Sequence, residues 1–280
     1  MNKKAVLYDT QSCIKCFACV VGCAVENRQR LQRDYNYGVE KSTIESHSYL
    51  NYLTVEQKET GTFPNVLNIA AFKHCQHCEH PKCVDVCPTY ALIKEDNGAV
   101  TLDQAKCVGC RACIDVCPYD VPKFSPTTGK TYKCTMCNDR LNADLPTACA
   151  AACPSVAIIS GNREDIVVEA RKRAEHYSKI FNKKYIVYGD DPINKVGQLS
   201  YMTIAPIENR DDYLLPENPK TFVATTKKVA SVLGIASVAA TAAAVSIHGV
   251  YSAIKLPKSE MGHHDDHDNH DNYDNVGGSK

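Results

Sequence analysis

Apolar and polar positions alternate in short stretches over the first two hundred residues and then give way to one long apolar run. The segments "YALI" and "AVTLD" predict two short strands around Asn97-Gly98, a dipeptide suited to the left-handed residues of a tight hairpin. "CPSVAIISGN" echoes "CPTYALIKEDNG", so a second small strand pair is expected after residue 153. "YLTVEQKETGTFPNVLNIAAF", beginning at Tyr52, carries strand-like segments. In 164–177 the apolar residues Ile166, Val167, Ala170 and Ala174 fall at helical spacing, with acids at the start and bases in the middle. Residues 185–206 read as strands and turns, and 207–228 as a Pro-containing surface linker.

Residues 229–254 form the long run, 26 residues without a formal charge. About 20 apolar residues suffice to cross a bilayer as a helix. Lys227 and Lys228 bound one end and Lys255 the other. Gly234, Ala236, Ala240 and Ala244 give the span small residues, which favour close helix packing in lipid. His248 falls near its C-terminal end, at headgroup depth or facing a pocket of a partner. The bland alternative is a buried Ala-rich helix. The last residues, with His263, His264, His267 and His270 among aspartates, read as a disordered tail.

Lys+Arg and Asp+Glu balance at 32 each, so no global basic field argues for nucleic acid. The 16 cysteines change the picture most. Disulfide scaffolds are usually short and secreted. This chain is long, and its start lacks an apolar signal core, so an export leader is not expected. Every cysteine falls in one of four groups of four. Group one is Cys13, Cys16, Cys19 and Cys23; group two is Cys75, Cys78, Cys83 and Cys87. Group three is Cys107, Cys110, Cys113 and Cys117; group four is Cys134, Cys137, Cys149 and Cys153.

Group three has the spacing C-x2-C-x2-C-x3-C-P, with which two-cluster ferredoxins hold iron–sulfur cubanes. Its first three thiolates bind one cluster, and the fourth completes the neighbouring cluster. Groups two and four widen the gap before the third cysteine, and in group one Ala24 stands where the others have proline. Sixteen thiolates then serve four 4Fe-4S clusters. Proximity in the chain pairs groups two and three, giving Cys75, Cys78, Cys83 with Cys117, and Cys107, Cys110, Cys113 with Cys87. Groups one and four pair by elimination, giving Cys13, Cys16, Cys19 with Cys153, and Cys134, Cys137, Cys149 with Cys23. The count of clusters does not depend on this exchange of the fourth ligand. Zinc on four cysteines is the competing reading, with His74, His77 and His80 nearby. These histidines read as polar neighbours able to donate to sulfur. No Gly-rich phosphate loop, GxSxG or HExxH is present, so no catalytic residue or small-molecule substrate site is expected.

The expected fold is α+β: two interleaved bacterial-ferredoxin-like modules, each for two 4Fe-4S clusters, plus one C-terminal transmembrane helix. An outer module takes 1–27 and 128–163. An insertion covers 28–65 and the inner module 66–127. A helical extension and linker fill 164–226, the transmembrane helix 227–255, and the tail 256–280.

The order of the groups, "FKHCQHCEHPKCVDVCP", "YKCTMCNDR" and "ACAAACP", together with the terminal span, resembles the four-cluster iron–sulfur subunit of membrane-bound molybdopterin oxidoreductases. "VGQLSYMTIAP" and "LLPENPK" most resemble the beta subunit of formate dehydrogenase-N. The resemblance implies an electron-transfer subunit of a respiratory complex. Its partners would be a catalytic molybdenum or tungsten pterin subunit and a membrane cytochrome b that reduces quinone. It also implies that the cluster-bearing part lies outside the cytoplasm, exported with its catalytic partner. A hydrogenase or a sulfur-compound reductase could use the same wire. A zinc-binding structural membrane protein is the remote alternative.

Overall fold

The computed structural model describes residues 2–35, 52–64, 66–126, 128–193 and 195–220. The chain divides into two compact units, Met1–Thr226 and Lys227–Lys280. The expected span at 229–254, its His248 and the His/Asp tail lie outside the described residues. Among the described residues, no helix is long and apolar enough to cross a membrane.

The first strand, β1 (Lys4–Asp9), leads into the group-one loop and then α1 (Ala18–Tyr35). A hairpin follows, β2 (Thr54–Thr60) with β3 (Leu67–Lys73), spanning the boundary expected at 65/66. Next come α2 (Lys82–Asp85), β4 (Leu92–Lys94), β5 (Val100–Leu102), α3 (Ala112–Val116), β6 (Lys123–Ser125) and β7 (Lys130–Tyr132). The chain continues through α4 (Asn138–Asn142), α5 (Ala148–Ala151), β8 (Ile158–Asn162), α6 (Arg163–Phe181), β9 (Tyr185–Tyr188) and β10 (Tyr201–Pro206).

Strands β4 and β5 pair antiparallel about Asn97-Gly98, as the turn signal predicts. The strand after group four behaves differently from its echo. β8 does not fold back on a following strand; it pairs antiparallel with β1, Leu7 opposite Ile159. β1 also pairs parallel with β10, and the sheet order is β8-β1-β10-β9. A central strand covered on both faces is apolar without alternation, and Ala5 to Tyr8 are all buried. Ala5 and Leu7 face Ile166, Ala170 and Ala174 of α6. Val6 and Tyr8 face the other way, onto Cys19, Cys23 and Met136. The sheet therefore separates a helical layer from a cysteine layer.

Residues 207–220 are a correction to the expected linker. Tyr213 and Leu215 are buried against Ile69, Tyr188 and Leu199. This segment packs on the body of the fold, although its prolines and acids suggested a solvated connection.

Candidate metal centre

Each cysteine group is built on the same backbone device. The residue just before the second cysteine has a left-handed backbone in all four: Lys15 (φ 60°), His77 (φ 49°), Gly109 (φ 67°) and Met136 (φ 58°). Left-handed residues reverse the chain in a short distance, so the two thiols of a C-x2-C pair can turn toward one space. The third cysteine then sits in a helical turn, Cys83 in α2, Cys113 in α3 and Cys149 in α5. Pro88, Pro118 and Pro154 end these turns, because proline restricts the residue before it and cannot donate to a continuing helix. A second left-handed residue follows each proline by two positions: Tyr90, Asp120 and Val156. Group one lacks the proline, and α1 runs on through both Cys19 and Cys23.

The fold gathers eight of the thiols round two cavities and draws others together in smaller groups. One cavity is lined by Cys13, Cys16, Cys19 and Cys153, with Tyr8, Phe72 and Ile158 around them. A second is lined by Cys23, Cys134, Cys137 and Cys149, with Val6, His74 and Tyr201. In one smaller group, burial pushes the Cys78 thiol well above its usual pKa, and the charges of Cys75, Cys117 and Cys83 add to the rise. In another, burial raises Cys113, with Cys107 and Cys110 acting in the same direction. Cys87 packs in the same apolar cluster as Cys113.

Burial likewise raises Cys19, Cys23 and Cys83 to about 12, and Cys117 and Cys149 to about 11. Without a metal these groups are protonated thiols at neutral pH, and metal binding must displace the protons. Cys87 goes the other way. Burial raises it, but hydrogen bonds from the Leu92 and Ala91 amides and from Thr89 outweigh that and lower it.

Among the described residues, no three His, Cys, Asp or Glu side chains are placed to share one metal ion. His74 and His77 are both buried, and His80 is not. His74 Nδ1 lies 2.9 Å from the Cys75 carbonyl oxygen, and its ring packs 3.6 Å from that of Tyr201. The Val100 amide donates to His77 Nδ1 at 2.8 Å. The proton therefore sits on Nε2, which is 3.5 Å from Cys134 Sγ. Burial, with the charges of Lys133 and Lys94, holds the His77 pKa well below its ordinary value.

Two features of the site were not foreseen from sequence. Lys94 and Lys133 turn their ammonium groups inward among the cysteine loops. Asp9, fully buried, fixes the entry to the group-one loop. Its carboxylate accepts from the Gln11 amide (3.0 Å), the Ser12 hydroxyl (2.9 Å), the Tyr177 hydroxyl (2.8 Å) and Arg173 (3.2 Å). An isolated acid after a strand carries no sequence signal for such a role.

Residues 68–163 match the 4Fe-4S dicluster domain, which includes groups two, three and four. The chain is 34% identical over 164 residues to a tetrathionate reductase subunit of Salmonella typhimurium, covering 59% of this chain and 60% of that protein. It is 33% identical over 174 residues to the formate dehydrogenase-O iron-sulfur subunit of Escherichia coli, covering 60% and 56%. It is 33% identical over 171 residues to the thiosulfate reductase electron transfer subunit PhsB of Salmonella typhi, covering 60% and 80%. The chain thus spans less than two thirds of the first two relatives and most of the third. With its thiols gathered by the repeated turn, the chain belongs to the family of 4Fe-4S electron-transfer subunits of oxidoreductase complexes.

Proposed function

We propose that the chain holds four 4Fe-4S clusters in two interleaved ferredoxin-like modules and carries electrons between two partners. One is a catalytic molybdenum or tungsten pterin subunit that oxidises formate; the other is a membrane cytochrome b-type subunit. The observation that carries this reading is the order in which the four thiol sets adjoin. Cys19 lies near Cys149, Cys134 near Cys75, and Cys83 near Cys113. These three links string the sets into one line. It runs from Cys13, Cys16, Cys19 and Cys153, through Cys23, Cys134, Cys137 and Cys149, then Cys75, Cys78, Cys83 and Cys117, to Cys87, Cys107, Cys110 and Cys113.

The donors fit the group. Four thiols lining one cavity, as in the first two sets, match the four thiolates that a 4Fe-4S core takes. When bound, each cluster would take up and release one electron. The chain's own residues hold the thiols, keep water away and set the local charge. The pairing of β1 with β8 supports an outer module closed from both sides of the inner one. Cys16 and Cys110, in the first and last sets of the line, are exposed. Apolar side chains rim both, Ile14 at 63% exposure and Val108 at 65%. Such rims suit the protein partners that would deliver and collect electrons. The apolar run at 229–254 would anchor the chain beside the cytochrome, with the cluster-bearing part outside the cytoplasm.

A second reading assigns the same wire to a sulfur-compound oxidoreductase. Its support is the larger share of the thiosulfate reductase subunit that the chain covers, 80% against 56% for the formate dehydrogenase-O subunit. Purifying the native complex in mild detergent, identifying its partners by mass and counting its metals tests both. Molybdenum or tungsten, b-type haem and formate-driven reduction support the first reading. Turnover with thiosulfate or tetrathionate and not formate supports the second. Nickel overturns both. In the same complex, Cys110→Ala is expected to abolish quinone-linked turnover and spare dye-linked turnover at the catalytic subunit.

A further inference from the structure

We propose that Lys94 and the buried Lys133 form a cationic bridge between the two middle cluster sites of the line, that of Cys23, Cys134, Cys137 and Cys149 and that of Cys75, Cys78, Cys83 and Cys117, and, with His77, raise the reduction potentials of those two clusters above those of the two end clusters. The inference rests on the ligand sets proposed above.

Lys133 is 3% exposed. Its Nζ donates to the Cys134 carbonyl at 2.8 Å and to the Val100 carbonyl. The Lys94 Nζ donates to the carbonyls of Gly98 (2.7 Å), Cys78 (2.8 Å) and His77 (3.2 Å). Both ammonium groups thus end on the backbone of cluster-binding loops, Lys133 on the group-four loop and Lys94 on the group-two loop. Neither forms an ion pair with a carboxylate of the described residues. Glu79 acts on Lys94 only from a distance; its carboxylate accepts from the Gln198 amide at 3.1 Å and lies 3.9 Å from Lys3.

An ammonium withdrawn from water without an anionic partner is costly. Sulfur ligands are the candidates for that partner. Cys78 and Cys75 act on Lys94, and Lys133 acts on Cys83. Four thiolates outweigh the positive charge of an iron–sulfur core, so a loaded site is anionic and supplies the missing counter-charge. His77 crosses the same boundary. It precedes Cys78 in the chain, yet its Nε2–H points to Cys134 Sγ. The β4–β5 hairpin assembles all three parts, supplying Lys94, the Gly98 and Val100 carbonyls and the Val100 amide. Reduction adds negative charge to a site. A fixed cation in a medium of low dielectric constant favours that state, and so does a hydrogen bond to sulfur.

The test is a redox titration of the whole complex, followed by electron paramagnetic resonance, with iron counted in each sample. Wild type is compared with Lys133→Met, Lys94→Met, Lys133→Arg and His77→Phe. At least about sixteen non-haem irons per chain in wild type, four for each cluster, tests the four-site reading itself; a lower non-haem count in active wild type overturns that reading. The bridge is tested by the potentials. Each Met variant is expected to lower the reduced-to-oxidised ratio of the same two clusters about tenfold at a fixed potential, a shift of about 59 mV for one electron. The other two clusters stay in place and Lys133→Arg restores the wild-type values. His77→Phe lowers chiefly the cluster bound by Cys134. Unmoved potentials, four equal shifts, or an Arg variant that behaves like Met would overturn the bridge. If Lys133→Met loses iron, Lys94→Met decides by the same criterion.

Discussion

Replacing Gly109 by alanine puts the repeated turn of the cysteine groups under direct test. Gly109 lies between Cys107 and Cys110 with φ +67°. An added Cβ would stand 1.9 Å from the Gly129 carbonyl oxygen, 2.9 Å from its carbonyl carbon and 3.1 Å from the Phe124 ring. The obstacle is backbone of the β6–β7 turn, held by the Gly129 amide donating to the Ser125 carbonyl at 2.9 Å. It cannot swing aside like a side chain. The left-handed backbone alone costs an alanine about 1–2 kcal/mol. Forcing apart two packed segments adds about 1–3 kcal/mol. Together the change costs about 2–5 kcal/mol. Gly129 is the matched control: φ is +66° and no atom lies within 4 Å of the added Cβ. Gly129→Ala should therefore cost only the backbone part, about 1–2 kcal/mol. Denaturant unfolding and iron counts on the two loaded variants give the readout. Gly109→Ala is expected to be the less stable and to lose about a quarter of its iron, since one of the four proposed sites would depend on this loop. Gly129→Ala should keep its iron. Equal stability and equal iron in the two variants would refute the close-approach argument.

The other predictions follow from single contacts. Val156 is a β-branched residue with φ 54° and is 55% exposed, so Val156→Asn should raise stability by about 1 kcal/mol in unfolding experiments on the loaded chain. Asp9→Ala leaves Arg173, Tyr177 and the Ser12 loop without their common acceptor. A loss of about 3–5 kcal/mol is expected from denaturant midpoints, whereas a loss under about 1 kcal/mol would deny the network its role. Removing iron by chelator at neutral pH should take up protons at the thiols, after correction for protons that the chelator releases and that the freed sulfide takes up. The folded pKa values of Cys19, Cys23 and Cys83 lie near 12, so these sulfurs return to the thiol form as the metal leaves. A pH-stat trace showing no uptake would contradict this.

The chemistry of this chain is more legible in its sequence than the architecture that positions it. Cysteine spacing sorts all sixteen thiols into four groups, because a cluster demands particular atoms at particular intervals. The Asn97-Gly98 turn is equally local, and the β4–β5 hairpin forms where expected. What failed to show was non-local. β1 lies about 150 residues from β8 and nearly 200 from β10, yet it joins both. Its run "AVLYD" looks ordinary until those partners cover it. The echo between "CPSVAIISGN" and "CPTYALIKEDNG" correctly marks a strand but misplaces its partner, since repetition predicts an element and not what pairs with it. Tyr213 and Leu215 were masked by neighbouring prolines and acids, whose usual meaning is exposure. Lys94 and Lys133 illustrate the same limit. A lysine reads as surface, and only the packed loops reveal an inward ammonium.

Four clusters on one chain are tested most directly by iron and acid-labile sulfide per chain, combined with Mössbauer spectra of the purified, oxidised protein. The expected result is about sixteen irons and sixteen sulfides per chain, all in 4Fe-4S form. About eight irons in a fully active sample, or zinc in place of iron, would contradict it.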